Sequence, residues 1–221
     1  MKKRLKFPNK KELTREELER YNRYAIDLFR SLIARRKYKN CVTVFGSRKF
    51  NENNEFYIKA RELGAKLAKN GHTVVTGGGP GIMEAANRGA HEAGGETVGF
   101  HIDLPEEQSA NAYAGNSIEF RYFFSRKLIL ASSSRVWVFF PGGFGTLDEL
   151  FETLTLLRDG KVAPDTPIIL VGKKQWKWLD ELIKSDTDGV AFEASNLELY
   201  KVTDDIDEVV KIANQVLKTE S

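Results

Sequence analysis

Five short apolar runs, at 41–45, 73–76, 97–100, 135–140 and 167–171, punctuate this chain, and helical patterns lie between most of them, at about 54–69, 80–93, 124–132 and 145–158. The runs read as buried strands and the intervening segments as amphipathic helices. Strands separated by helices of this length are βαβ units and imply a parallel sheet. Two more helices are expected at 175–184 and 204–218, the second turning Ile206, Val209, Val210, Ile212, Ala213 and Val216 inward. The fold class that follows is α/β: a Rossmann-like, doubly wound parallel sheet in a single domain over 14–221.

An extra N-terminal helix is expected over 14–37, where Leu18, Tyr21, Tyr24, Ala25, Leu28, Phe29 and Leu32 recur at three- and four-residue spacing. Thr14 with Glu17 three residues later fits a capping box at its start. Its apolar stripe is expected to dock on the body of the protein or on a second subunit. Residues 1–13 read as a loose basic arm, and 102–117 as the one long irregular stretch. Loops of that length in a compact domain are often functional.

Charge and cysteine content exclude several classes. Thirty-four basic against 31 acidic residues leave a net charge of +3, too small to argue for a nucleic-acid partner. The single cysteine, Cys41, opens an apolar run and reads as a core thiol. The three histidines form no metal constellation: His72 and His91 read as structural, and His101 ends a strand on the ligand edge as a weak site candidate. No metal and no cofactor are expected. Nothing approaches the roughly 18 continuous apolar residues of a membrane span, and the basic Met1-Lys2-Lys3-Arg4 is followed by no apolar stretch. The expected compartment is the cytoplasm, with no membrane partner.

Three loops leave the carboxyl ends of the expected strands, where open α/β sheets bind ligands. They are Gly46-Ser47-Arg48, Thr76-Gly77-Gly78-Gly79-Pro80-Gly81, and Pro141-Gly142-Gly143-Phe144-Gly145-Thr146-Leu147-Asp148-Glu149. A glycine-rich strand-to-helix turn lets backbone N–H groups crowd close to an anion at the positive end of a helix. Neither glycine-rich loop has the P-loop spacing, and the dinucleotide G-x-G-x-x-G spacing fails too, at Ile82 and at Asp148. A smaller phosphorylated ligand fits better, held by main-chain donors and the Thr146 hydroxyl.

Thr146 and Glu149 also fit a capping box, and spacing alone favours that structural role. A cap does not need three glycines in four positions, however, so a mixed role stays open. Glu84 reads as either a dipole partner or a ligand contact, and Arg88 as a surface or interface residue. Arg126 and Lys127 sit between Tyr122-Phe123-Phe124-Ser125 and Leu128-Ile129-Leu130. An arginine there could fork onto a phosphate or pair with a carboxylate, and a structural ion pair is the alternative.

The segment at 141–149, with Ser125-Arg126-Lys127 and the run at 77–90, resembles the LOG (Lonely Guy) family of cytokinin riboside 5′-monophosphate phosphoribohydrolases, some of which carry the label lysine decarboxylase. The hallmark PGGxGTxxE is matched throughout 141–149, and the resemblance runs from about Cys41 to Val171. The helix at 14–37 is more similar to the longer bacterial members. Plant-type members carry His-Glu-Arg-Lys where this chain has Phe124-Ser125-Arg126-Lys127, so the cytokinin-type base is not carried over.

The resemblance implies hydrolysis of the N-glycosidic bond of a nucleoside 5′-monophosphate, AMP or a cytokinin riboside 5′-monophosphate. It implies Glu149 and Arg126 as catalytic residues. Gly142, Gly143, Gly145 and Thr146, with Gly46, Ser47 and Gly79, would hold the phosphate. Glu84 would meet the ribose, Lys127 would join the substrate-binding set, and Arg121 or His101 would lie near the base. A homodimer or higher homo-oligomer is implied as well. The competing reading is a nucleotide sensor or a molybdenum-cofactor carrier on the same fold. Lysine decarboxylation would need pyridoxal phosphate on a lysine, and none stands out.

Overall fold

A computed structural model describes residues 13–102, 110–185 and 191–217. Seven strands form one parallel sheet: β1 (Cys41–Phe45), β2 (Thr73–Thr76), β3 (Thr97–Ile102), β4 (Asn116–Phe120), β5 (Val136–Phe139), β6 (Ile168–Val171) and β7 (Lys201–Thr203). Their spatial order is β4-β3-β2-β1-β5-β6-β7, and every neighbouring pair is parallel. The central strands read as near-continuous apolar runs, broken only by buried threonines, because both faces of the sheet are covered. Alternate side chains divide between two cores. Val42, Val44, Val136 and Val138 pack with α2 (Glu55–Lys69), α3 (Ile82–Glu92) and α7 (Ile206–Leu217). Phe45, Trp137 and Phe139 pack on the other side with α4 (Phe123–Ser132), α5 (Phe144–Arg158) and α6 (Lys173–Ser185).

The expected doubly wound α/β sheet is present, with two strands more than the apolar runs indicated. β4 lies inside the stretch expected to be irregular, and β7 follows a 3₁₀ turn at Ala194–Leu199. β4 is an edge strand whose buried side is marked by little beyond Phe120. Residues 103–109 of that stretch, and 1–12 of the expected arm, lie outside the described residues. Among the described residues, no helix is long and apolar enough to cross a membrane.

The N-terminal helix α1 (Arg15–Lys37) starts with the expected capping box: the Glu17 N–H donates to Thr14 Oγ1 at 3.2 Å and the Thr14 N–H to Glu17 Oε2 at 2.8 Å. Its docking face differs from the expected stripe. Small and polar side chains (Asp27, Ser31, Ala34) are buried, whereas Tyr21, Phe29 and Leu32 are exposed. Asp27 explains the rotation, since its carboxylate accepts from the Arg121 N–H (3.0 Å) and Ser125 Oγ (3.1 Å) at the entry to α4. A buried carboxylate must be hydrogen-bonded, and satisfying Asp27 fixes which side of α1 faces the body.

Candidate active site

β1 is the switch point of the sheet. From it the chain first steps outward through β2, β3 and β4, then returns to β1's other side to lay down β5, β6 and β7. The loops after β1 and β5 therefore diverge, leaving a crevice at the carboxyl ends of the strands. Backbone hydrogen bonds lace its floor. The Ser47 N–H donates to the Pro141 carbonyl (3.0 Å), the Phe140 N–H to that of Phe45 (2.9 Å), and the Ile82 N–H to that of Ser47 (3.0 Å). The three glycine-bearing loops thus meet in one cleft of about 490 Å³.

The glycines serve different ends. A Cβ on Gly46 would lie 2.6 Å from the Ile82 side chain, and one on Gly142 would lie 2.2 Å from Thr146 Oγ1, so both are required by packing. Gly81, at φ +74°, would place a Cβ 2.3 Å from the Ser47 carbonyl oxygen, so backbone conformation and crowding both exclude a side chain there. A Cβ on Gly143 or Gly145 would meet no described atom beyond its own stretch of chain within 4 Å. Among the described residues no atom demands glycine at those two positions, and both line the cleft. What their missing side chains provide is open access to the backbone.

That backbone is the first turn of α5. Gly143 is the N-cap residue, no side chain caps the helix, and the first intrahelical bond runs from the Leu147 N–H to the Gly143 carbonyl (3.0 Å). The N–H groups of Phe144, Gly145 and Thr146 precede that bond, lack intrahelical acceptors and sit at the positive end of the helix. The Thr146–Glu149 capping box is therefore overturned: Thr146 is already the third helical residue. Glu149 lies more than a turn inside α5 and lines the cleft.

Burial pushes the Glu149 carboxyl up to about 7, from an ordinary 4.5. Arg126 and Lys127 oppose that rise, while Asp148 and Glu152 add to it. Arg126 also lines the cleft. Its guanidinium bridges two strand ends, donating from Nε to the Phe100 carbonyl (2.7 Å) and from Nη2 to the Gly77 carbonyl (3.2 Å). Gly77 is glycine for this reason, since a Cβ there would sit 2.1 Å from Arg126 Nη2. A carboxyl poised near neutrality beside an anchored cation is suited to proton transfer or to stabilising a developing positive charge.

Of the expected site residues, the structure brings Gly46, Ser47, Gly79, Arg126, Gly143, Gly145, Thr146 and Glu149 to the cleft wall. It does not bring Gly142, Glu84 or Lys127 there. Gly142 packs behind, over Thr146. Glu84 accepts from Tyr57 Oη of α2 at 3.0 Å, so its expected ribose contact is not supported by its position. Lys127 pairs with Asp148 (2.9 Å) and Glu152 (3.4 Å), tying α4 to α5. His101 faces the edge strand, with Nδ1 2.8 Å from Ser117 Oγ and Nε2 3.4 Å from Glu119. Arg121 is exposed and Arg88 joins Glu52 and Glu92 on the surface.

Arg48, Lys49, Met83, Ile102, Phe123 and Phe144 also line the cleft without having been assigned a role. Arg48 and Lys49 directly follow the Gly46-Ser47 turn, and that adjacency was a usable signal. No local signal marks Ile102 or Phe123, which reach the cleft through strand order and helix docking.

Two family profiles match the chain. One, described as possible lysine decarboxylase, covers residues 83–213, and the other, described as DNA recombination-mediator protein A, covers 7–109. A cytokinin riboside 5′-monophosphate phosphoribohydrolase of Mycobacterium tuberculosis is 38% identical over 51% of this chain, a match spanning 60% of its own length. A protein of the same name from Mycobacterium marinum is 30% identical over 69% of this chain and 82% of its own. Among solved structures, the molybdenum cofactor carrier protein of Chlamydomonas reinhardtii aligns over 81% of this chain and 99% of its own, with 27% identity and a TM-score of 0.61.

Proposed function

The chain belongs to the LOG family, whose possible-lysine-decarboxylase profile it matches over 83–213, and from that membership we propose that it hydrolyses the N-glycosidic bond of a nucleoside 5′-monophosphate. The observation that carries this reading is Glu149, a carboxyl raised to about 7 beside Arg126, one turn along the same helix from an unblocked set of N–H donors. Two relatives bear the phosphoribohydrolase name at 38% and 30% identity.

In this reading the 5′-phosphate sits at the start of α5, on the backbone of Gly143, Gly145 and Thr146, with Gly46, Ser47 and Gly79 across the cleft. Helix N-termini favour such anions through free donors and the helix dipole. Phosphate anchoring holds the ribose over Glu149. As the bond from C1′ to the base nitrogen breaks, positive charge builds on the ribose ring, and the Glu149 carboxylate stabilises it. Water adds its oxygen to C1′ and gives one proton to Glu149; the departing base takes up a proton from solvent, and Glu149 returns its own to solvent, which restores the carboxylate. The products are free base and ribose 5-phosphate. Arg126 favours the charged form of Glu149 and limits the rise that burial causes.

Incubation with AMP and other nucleoside 5′-monophosphates, and assay of free base, test the proposal; no base released from any of them at any pH would sink it. The pH profile carries a second expectation. Since the carboxylate is the working form and its pKa is about 7, activity should climb as pH rises from 6 to 8. A profile flat across that range would contradict the role given to Glu149.

The second reading is a carrier of a phosphorylated cofactor, favoured by the likeness to the Chlamydomonas reinhardtii molybdenum cofactor carrier. A carrier would retain its ligand and release no base, so the AMP assay separates the two. A homodimer is the assembly supported by exposed apolar side chains on neighbouring helices: Phe29 and Leu32 on α1, Phe124 and Leu128 on α4. In sedimentation, the parent should run at about twice the 25.0 kDa chain mass, and the double variant Phe29→Glu, Leu128→Glu as a monomer. A parent that sediments as a monomer at micromolar concentration overturns the dimer.

A further inference from the structure

We propose that Asn111 is a positioning residue: it clamps the glycine loop at 77–79 so that the Gly77 carbonyl holds the Arg126 guanidinium beside Glu149. All its polar groups are engaged. Its backbone N–H donates to the Gly78 carbonyl at 2.8 Å. Its side-chain Nδ2 donates to the Gly79 carbonyl at 3.1 Å and to Asn87 Oδ1 at 3.2 Å. Its Oδ1 accepts from the Tyr113 N–H at 3.1 Å, closing an Asx turn that presents the side chain. Its own carbonyl accepts from the Ala114 N–H at 3.2 Å.

The far side of the loop is equally fixed. Thr76 Oγ1 donates to Asn87 Oδ1 (2.6 Å) and accepts from the Gly78 N–H (3.0 Å). Thr76 and Asn87 are both fully buried, so neither can exchange these partners for bulk water. A run of three glycines has little stiffness of its own. The Gly77 carbonyl shares a peptide plane with the Gly78 N–H that Thr76 holds, and Asn111, on the next two carbonyls, keeps the loop from pivoting about that bond. The Gly77 carbonyl so placed accepts from Arg126 Nη2, as the Phe100 carbonyl does from Nε. Asparagine suits the position because one amide supplies two donors and an acceptor in a plane. Aspartate would lose both donors and set a charge against two oxygens.

The catalytic consequence rests on the phosphoribohydrolase reading, but the clamp itself can be tested without turnover. The charged groups that act on Glu149 are Arg126 and Lys127 from α4 and Asp148 and Glu152 from its own helix. Loosening the Gly77 anchor of Arg126 weakens the leading opposition to the rise in its pKa. The Glu149 carboxyl is followed by ¹³C NMR titration, assigned with Glu149→Gln, in the parent, in Asn111→Ala and in Asn111→Ser. Serine can still close the turn but is too short to reach the Gly79 carbonyl.

Both variants should fold, with the Glu149 midpoint moved upward by about half a unit or more and base release from AMP slowed roughly tenfold, mainly in kcat. A midpoint unchanged in a folded variant overturns the clamp, as would loss of the fold in both variants. A moved midpoint in a protein that releases no base supports the clamp while rejecting the phosphoribohydrolase reading.

Discussion

Glu149→Gln should lower base release from AMP by about 10²- to 10⁴-fold, the range typical of removing a general base or an electrostatic partner of the transition state. The binding of AMP should change far less, because the phosphate is held by the backbone of the preceding turn. Glutamine keeps the shape and hydrogen-bonding reach of glutamate but can neither ionise nor take the proton from water. Since α5 begins at Phe144 and has no side-chain cap, Glu149 is not needed to start the helix.

The stability of this variant has a definite sign. Folding raises the Glu149 pKa from 4.5 to about 7, so the folded protein favours the protonated acid. The stabilisation from that preference is full below about pH 4.5 and is lost as pH rises through 7. At pH 8 the parent carries a desolvated carboxylate that the amide variant lacks. Glu149→Gln should therefore melt at or above the parent temperature at pH 8, with the gap closing below pH 5. A protein that loses both activity and several degrees of melting temperature at pH 8 would show that Glu149 is structural.

The second large effect is on the fold. Gly89→Ala should destabilise the protein by about 3 kcal/mol, at the upper end of what overpacking usually costs, and lower its melting temperature by roughly 6–12 °C. A Cβ on Gly89 in α3 would lie 1.8 Å from the Arg61 carbonyl oxygen of α2, and one on Gly64 in α2 would lie 2.1 Å from the Ala86 carbonyl oxygen of α3. The two helices touch backbone to backbone, so an added methyl group has no flexible neighbour to displace. Gly145→Ala is the contrast. Nothing lies within 4 Å of its Cβ position, and alanine is the better helix former by about 0.5–1 kcal/mol. Its melting temperature should hold or rise while KM for AMP increases. Thermal melts and steady-state kinetics on the pair check both halves; equal melting temperatures for the two variants would refute the close helix contact.

Much of the scaffold was legible because its signals are local. β1 and β2 were bounded correctly at 41–45 and 73–76, since strands covered on both faces carry only apolar and β-branched side chains there, Thr43, Thr73 and Thr76 among them. β4 and β7 were missed because edge strands bury only part of one side and carry polar residues such as Asn116, Ser117 and Lys201. The same logic governs the site. Gly143, Gly145 and Thr146 stand at a strand-to-helix turn, which sequence spacing locates well. Glu84 was placed with them because it follows a similar turn, yet one helical step decides whether a side chain meets the cleft or Tyr57. Met83 faces the cleft and its neighbour does not.

By itself, then, the order of apolar runs and glycine turns determined a parallel sheet with three ligand-facing loops and an acid one turn beyond the last of them. Hydrophobic periodicity and glycine chemistry act over a few residues, so the chain states them directly. Tertiary structure alone decided which loops meet. Placing β1 between β2 and β5 gathers residues some hundred positions apart, Ser47, Gly77, Arg126 and Glu149, around one cleft. It also decided the chemical state of Glu149, because desolvation and the field of Arg126 depend on what packs around a carboxyl. No spacing in the sequence encodes that surrounding.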